Sequence, residues 1–375
     1  MSASTTVYLM TPLGERVAAF GGGIGSGDSD MISLSYTNTV NAPGWCQLVL
    51  RAGQIPLAYP IKPDWQLEIT RSTDPAMPEQ TEGSTRWFVR RIAEEISSGT
   101  LRIGAESALG LLATRTVAYP AGSAQASKSG AADNMIKAVV RENLGSLATD
   151  AARRLSETLF RISTDDSRGP VVTKGFSRKN VLQVCQEIAA AAAQAGMVIA
   201  FDVVNGSDGI LELRTYAHQR GVDRSPTGSS PLVLDADDLA DVVVDQDYSD
   251  EATAIYAAGQ GLEEERDVEQ ATGGEILRSP WARREATLNA THVPRGSLAA
   301  LADEARRGVW ERRARVRLSA TMTATPQLRY GIDWGWGDRL TASIAGRSWP
   351  VRIDQRTVTI SGGMERIQAV VRVEL

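Results

Sequence analysis

Between Val7 and Gly104 the chain runs in short alternating segments broken by turn residues, a pattern that fits little besides antiparallel β structure. Ser33-Leu34-Ser35-Tyr36 alternates, Gln47–Arg51 carries Leu48-Val49-Leu50, and Gln66–Arg71 sets Leu67 and Ile69 against polar neighbours. Arg86–Ile96 and Thr100–Gly104 predict a hairpin joined through Ser97-Ser98-Gly99. Strands this short and closely spaced indicate a barrel or sandwich.

The texture changes near Glu106. Glu106–Thr114 predicts a short Ala/Leu helix and Ala121–Ser129 a small-residue loop. Ala131–Asn143 predicts a helix with Met135, Ile136, Val139 and Val140 on one side, closed by Leu144-Gly145. Ser177–Ala195 is the clearest helix, striped by Val181, Leu182, Val184, Cys185, Ile188, Ala189 and Ala192 and stopped by Gly196. Met197–Val204 and Ile210–Tyr216 follow as a strand pair. The Pro/Gly/Ser-rich Ser225–Pro231 marks a boundary. Strands return at Asp241–Val244 and Thr253–Ala258, then an exposed loop over Glu263–Gly274. Ser297–Arg313 predicts a helix with Leu298, Leu301, Ala305 and Val309 on one face, leading into a strand over Ala314–Thr323. Three closing strands are expected at Asp338–Ala345, Ser348–Ser361 and Glu365–Leu375.

A chain of 375 residues exceeds what one core usually serves. The order β, α+β, β gives an α+β, mainly β class with domains at 1–104, 105–230 and 231–375. The strand pair within 197–216 is an alternative part of the first domain. The net charge of −5, with signs interspersed, argues against a dedicated nucleic-acid binder but allows passive contact. Cys46 and Cys185 are too few for a disulfide framework and are expected as buried thiols. Met1–Leu9 has no secretion-signal pattern. The longest apolar stretch, Ile188–Ala200, is interrupted by Gln194 and Gly196, so no stable membrane insertion is expected.

Candidate chemistry fails on spacing. Gly21-Gly22-Gly23-Ile24-Gly25-Ser26-Gly27 fits neither G-x-G-x-x-G nor a P-loop and is expected as a surface loop. Asp235, Asp237, Asp238, Asp241, Asp245, Asp247 and Asp250 do not follow the EF-hand pattern, and they border the strand-like Val242-Val243-Val244. His218 and His292 lack zinc-site spacing. Glu94-Glu95 and Glu263-Glu264-Glu265 offer carboxylates, with nothing to mark a hydrolytic pair. Trp334-Gly335-Trp336-Gly337 reads as a packed strand end, with sugar stacking as the alternative. No catalytic, cofactor-binding or metal-ligating residue is expected, and the chain is read as a non-enzyme.

Four segments resemble the tail-hub proteins of long-tailed phages. Ser35–Leu50 is similar to a strand, an Asn-x-Pro-Gly turn (Asn41-Ala42-Pro43-Gly44) and a second strand of the first barrel. Leu109–Ser123 resembles the segment leaving that barrel, and Ala131–Asn143 the helix after it. Leu328–Asp338 resembles the turn into the closing strands of a second barrel. The resemblance implies two tail-tube-like β-barrels flanking an α+β insertion, in a homotrimer whose six barrels form a pseudo-sixfold ring. It implies a virion tail-tip location, assembly in the host cytoplasm, and no cofactor. The partners it implies are a distal tail protein or tail-tube ring, a tape-measure protein and a central fibre or tip protein, with phage DNA passing through. Because the sequence closes on a strand at Met364–Leu375, receptor-binding and wall-cutting activities are expected in separate proteins.

Overall fold

The structure, a computed structural model, describes residues 4–23, 31–51, 61–72, 80–118, 126–176, 179–262, 265–322, 328–344 and 346–373. It opens with β1 (Ser4–Met10), β2 (Arg16–Gly23), β3 (Met31–Thr39), β4 (Ala42–Arg51), β5 (Gln66–Ser72), β6 (Gln80–Glu95) and β7 (Thr100–Ser107). A 3-10 turn at Ala108–Thr114 leads to β8 (Ala126–Ala131), α1 (Ala132–Asn143), β9 (Phe160–Ile162), β10 (Val171–Phe176), α2 (Val181–Gln194), β11 (Ile199–Asn205) and β12 (Leu211–Ala217). The remainder comprises β13 (Val233–Leu234), β14 (Leu239–Asp247), β15 (Ala254–Ala258), β16 (Val268–Thr272), β17 (Glu285–Asn289), α3 (Leu298–Glu311), β18 (Arg315–Met322), β19 (Arg339–Ile344), β20 (Arg347–Ser361) and β21 (Met364–Val373).

The two β-rich ends of the chain share one 13-stranded sheet in the order β14-β18-β21-β20-β3-β4-β7-β6-β5-β1-β2, with β13 and β19 attached beside β20. The join is the antiparallel pairing of β3 with β20, from Ser33↔Ser361 to Thr39↔Gln355. Neither expected barrel closes among the described strands, because the edge of β3 is spent on β20 and the order ends at β14 and β2. Alternation explains the first half: Leu34 and Tyr36 of β3, Cys46, Leu48 and Leu50 of β4, and Leu101, Ile103 and Ala105 of β7 share one core with Trp87. A second core gathers Trp334, Leu340, Val351, Ile353 and Val371. Each such large apolar side chain contributes roughly 1.5–3 kcal/mol when fully buried.

The centre packs α1, α2 and the 3-10 turn over β9, β11 and β12 around Ile136, Val140, Val184, Ile188 and Phe201. Asn180 caps α2, accepting from the amides of Leu182 and Gln183, and so starts the helix at Val181, the first residue of the apolar stripe. The fourth core sets Leu301 and Ala305 of α3 against Ile255 and Ala257 of β15.

Several expectations are corrected. Part of the predicted loop Ala121–Ser129 is β8, paired with β10. Part of the predicted loop Glu263–Gly274 is β16, and β17 was not anticipated; both pair with β15. The strand pair β11–β12 joins β9 in a separate sheet and not the large one. Gly21–Gly23 of the glycine run belong to β2, while residues 24–27 lie outside the described residues. The turn expected at Asn41–Gly44 falls at Val40-Asn41, with Asn41 at φ +59°, and Pro43-Gly44 are already within β4. Gly44 is there because a Cβ would lie 2.1 Å from the Thr37 carbonyl and 3.0 Å from the Trp87 ring.

Candidate functional site

The polar chemistry of this chain is concentrated where its packed units meet. At the β3–β20 join, Thr37 and Thr357 hydroxyls lie 2.9 Å apart on one side. On the other, the fully buried Arg356 donates to Asn38 Oδ1 and to the Tyr330 hydroxyl, its guanidinium 4.7 Å from the Tyr330 ring centroid and 5.0 Å from that of Tyr36. Burial lowers the Arg356 pKa to about 10 and pushes Tyr36 up to about 12. Arg71 of β5 forks onto Glu365 of β21 at 3.1 and 2.8 Å and reaches the Tyr330 carbonyl at 3.3 Å. Opposite ends of the chain are thus held together by two guanidiniums around one tyrosine.

The centre meets the second β half through Arg220, which donates to Asp202 Oδ2 at 3.0 and 2.8 Å and lies 3.7 Å over the Trp336 ring. Burial holds the Asp202 carboxyl above its ordinary value, outweighing Arg220. Beside it, Asp338 accepts from the Val222 amide at 2.6 Å, Arg224 Nε at 2.7 Å and the Gly335 amide at 2.8 Å. The centre meets the first β half through Asn41, which donates to the Ile199 carbonyl at 2.9 Å and accepts from the Phe201 amide at 2.7 Å.

A fourth cluster binds the centre to α3. Lys174 of β10 contacts Glu304 of α3 and lies 3.0 Å from Glu187 of α2. Arg307 forks onto Glu304 at 3.0 and 2.5 Å, Lys179 donates to Glu187 at 2.9 Å, and His292 Nε2 lies 3.2 Å from Glu304 Oε1. Burial alone would raise the Glu304 carboxyl, but His292, Lys174 and Arg307 together hold it well below the usual range. Such groups are costly to bury unpaired and hold geometry when paired.

The residues singled out in the sequence fall as follows. Cys46 and Cys185 are buried free thiols, and burial pushes both well up. Trp334 and Trp336 are 2% and 7% exposed, packed against Tyr330 and Arg220 respectively, so neither offers a face to a sugar. His292 belongs to the α3 cluster, and His218 sits in a turn at φ +71°. Glu94 and Glu95 are exposed on the β6–β7 hairpin, and Glu265 is exposed beside Arg295, while Glu263 and Glu264 lie outside the described residues. Asp235, Asp237, Asp245, Asp247 and Asp250 are exposed along β14 and its flanks. Glu251 is not part of that solvated set: it is buried between Arg278 and Arg284. Among the described residues, no three His, Cys, Asp or Glu side chains gather as metal ligands, and no helix is long and apolar enough to cross a membrane.

Sequence reasoning missed the buried charges. A signal existed on α3, where Glu304 shares the apolar stripe of Leu301, Ala305 and Gly308, a position a solvated carboxylate would avoid.

The chain is mainly β, with its two β-rich ends joined in one sheet and buried polar side chains at its joints. Over residues 30–374 it matches the family described as Siphovirus ReqiPepy6 Gp37-like protein, and it belongs to that family. Its fold is shared with prophage tail proteins. The 43 kDa tail protein of prophage MuSo2 from Shewanella oneidensis superimposes with a TM-score of 0.57 at 12% identity, over 99% of this chain and 98% of that one. The tail protein from Neisseria meningitidis MC58 gives 0.56 at 10%, over 100% and 97%. Prophage tail protein gp18 from Listeria monocytogenes EGD-e gives 0.52 at 11%, over 98% and 94%. No curated protein matches by sequence.

Proposed function

We propose that this chain is a structural hub of a bacteriophage tail tip and performs no catalysis. In this reading three copies form a ring in which residues 1–104 and 231–375 act as two tube-type β units, six in all, with residues 105–230 inserted between them. The ring adapts a hexameric tail tube to a threefold fibre or tip and surrounds the path of the ejected DNA. It contacts a distal tail protein or tube ring above and a tape-measure protein within.

The observation that carries the reading is the β3–β20 join. Two β units hydrogen-bonded into one sheet, with Arg356 and Arg71 locked across them, move as one body, as a symmetry adaptor must. The sheet ends, β14 and β2, are edges suited to mating between copies. The exposed Asp235, Asp237, Asp245, Asp247 and Asp250 suit a channel wall that repels DNA. Electron microscopy of intact virions labelled for this chain tests the proposal. Three copies ringing the tail tip are expected, and absence of label from the tip overturns it.

A further inference from the structure

The α3 unit, made of β15, β16, β17 and α3, is inserted into the β14–β18 hairpin, whose last pair is Asp247↔Arg315. It has a core of its own around Ile255, Leu301 and Ala305, separate from the central core of Ile136, Val184 and Phe201. Two passages join it to the hairpin, Tyr248–Asp250 and Arg312–Ala314, and just past them the Ala252 amide donates to the Arg312 carbonyl at 2.9 Å. Tyr248, Ser249, Asp250 and Arg312 are exposed, so both passages run over the surface. Short segments at the ends of elements are where rigid bodies turn about each other.

The seam that holds this unit against β10 and α2 is charged, and most of its pairing closes on one side or the other. On the central side Lys174 and Lys179 both meet Glu187, at 3.0 and 2.9 Å. On the other side Arg307 pairs with Glu304 and Glu311 along α3, and His292 reaches Glu304 at 3.2 Å. The buried pair Lys174–Glu304 bridges the two groups. Next to it, a Cβ on Gly175 would reach no more than ordinary contact with Val293 Cα and Pro294 Cδ, both 3.8 Å away. No side chain at that position of β10 keys into the α3 unit.

This arrangement strands no charge when the seam parts. Glu304 keeps Arg307, Glu187 keeps Lys179, and all of them regain water, which offsets much of the lost attraction. An apolar seam would instead lose stability in proportion to the area exposed. Contacts between units that are polar leave relative motion as the ordinary behaviour. With two ammoniums and one carboxylate the central group is net positive, and with two carboxylates and one guanidinium the α3 group is net negative. Their mutual attraction is the part that salt screens.

We propose that the α3 unit is a hinged arm, latched to the centre of the chain by Lys174–Glu304 and able to swing out with both bodies folded. The inference stands on the seam and the two passages, and it does not depend on the hub reading.

The test measures the distance between arm and centre in the full chain. Leu277 on the arm and Leu147 on the centre are 88% and 61% exposed, while Cys46 and Cys185 are fully buried, so Leu147→Cys and Leu277→Cys take nitroxide labels cleanly. Pulsed electron resonance should give one narrow distance at about 0.05 M salt and a second, longer one that grows toward about 1 M. Lys174→Glu, which sets like charges across the seam, should populate the longer distance already at low salt. Lys174→Met with Glu304→Met makes the latch apolar and leaves Lys179–Glu187 and Arg307–Glu311 paired, so the short distance should persist at every salt concentration. A parent distance that salt does not alter overturns the proposal. So does a longer distance that appears only with loss of helical circular dichroism, because the unit then unfolds and does not swing. A double Met variant that opens as readily as the parent removes Lys174–Glu304 as the latch. If Lys174→Glu fails to fold, the parent salt series and the double Met variant decide the matter.

Discussion

Lys174 of β10 and Glu304 of α3, 130 positions apart, are in direct hydrogen-bonding contact with both side chains 3% exposed or less. The pair bolts the α3 unit to the centre of the chain. Removing one partner leaves a buried charge, so Glu304→Gln should lower stability by about 3–5 kcal/mol. Because the surrounding cations and His292 depress the Glu304 pKa, its contribution is present above the ordinary carboxylate value of 4.5 and lost as pH falls toward the folded value. Urea titrations from pH 7 down to pH 3 should show stability falling steeply in the parent and less steeply in Glu304→Gln. Equal slopes would remove Glu304 as the source.

Arg356 makes a related prediction at the β3–β20 join. It donates to the neutral Asn38 and Tyr330, and these hydrogen bonds and two aromatic faces offset its burial. Arg356→Ala should cost about 3–5 kcal/mol and raise amide exchange in β3 and β20 before other strands. Arg356→Met, which keeps the stem packed, should cost less. Uniform exchange across the sheet would mean that the join is not where this residue acts.

All three α-helices and most of the strands were legible because their burial is periodic. β3 turns Leu34 and Tyr36 inward at every second residue, and α1 places Met135, Ile136, Val139 and Val140 on one side. β16 and β17 escaped because Val268-Glu269-Gln270-Ala271-Thr272 and Glu285–Asn289 alternate between exposed and half-buried, with no wholly apolar face. The pairing of Ser33 with Ser361 is a non-local choice that no window of sequence encodes, and the expectation of separate barrels failed there. Of the buried polar joints, Trp334-Gly335-Trp336-Gly337 was visible as a packed turn, while Asp338 as acceptor for three donors from that turn and from Val222 and Arg224 was not.

Packing, and not ligand stacking, should dominate the response to Trp334→Ala. The ring meets Tyr330 edge-on at 4.8 Å and is 2% exposed, so truncation should cost about 3–5 kcal/mol. Chemical denaturation measures this directly. A variant that keeps parental stability yet loses adhesion to host cells would return the sugar-stacking role to this residue.

Asp202 and Arg220 should respond in opposite ways to neutralisation. Burial raises the Asp202 pKa in the folded chain despite the 2.8 Å contact with Arg220, so the folded state favours the protonated carboxyl. For a raised pKa the stabilising contribution is present below the unfolded value and lost as pH rises through the folded one. At pH 7 the ionised form is therefore a net burden, and Asp202→Asn should lie within about 1 kcal/mol of the parent or above it. Arg220→Met removes the guanidinium paired with that carboxylate and takes it off Trp336, so it should cost about 3–5 kcal/mol at pH 7. The cost should shrink as acid protonates Asp202. Thermal melts of both variants at pH 7 and pH 5 decide the matter: a larger loss for Asp202→Asn than for Arg220→Met would reverse the assignment of which partner bears the cost of burial.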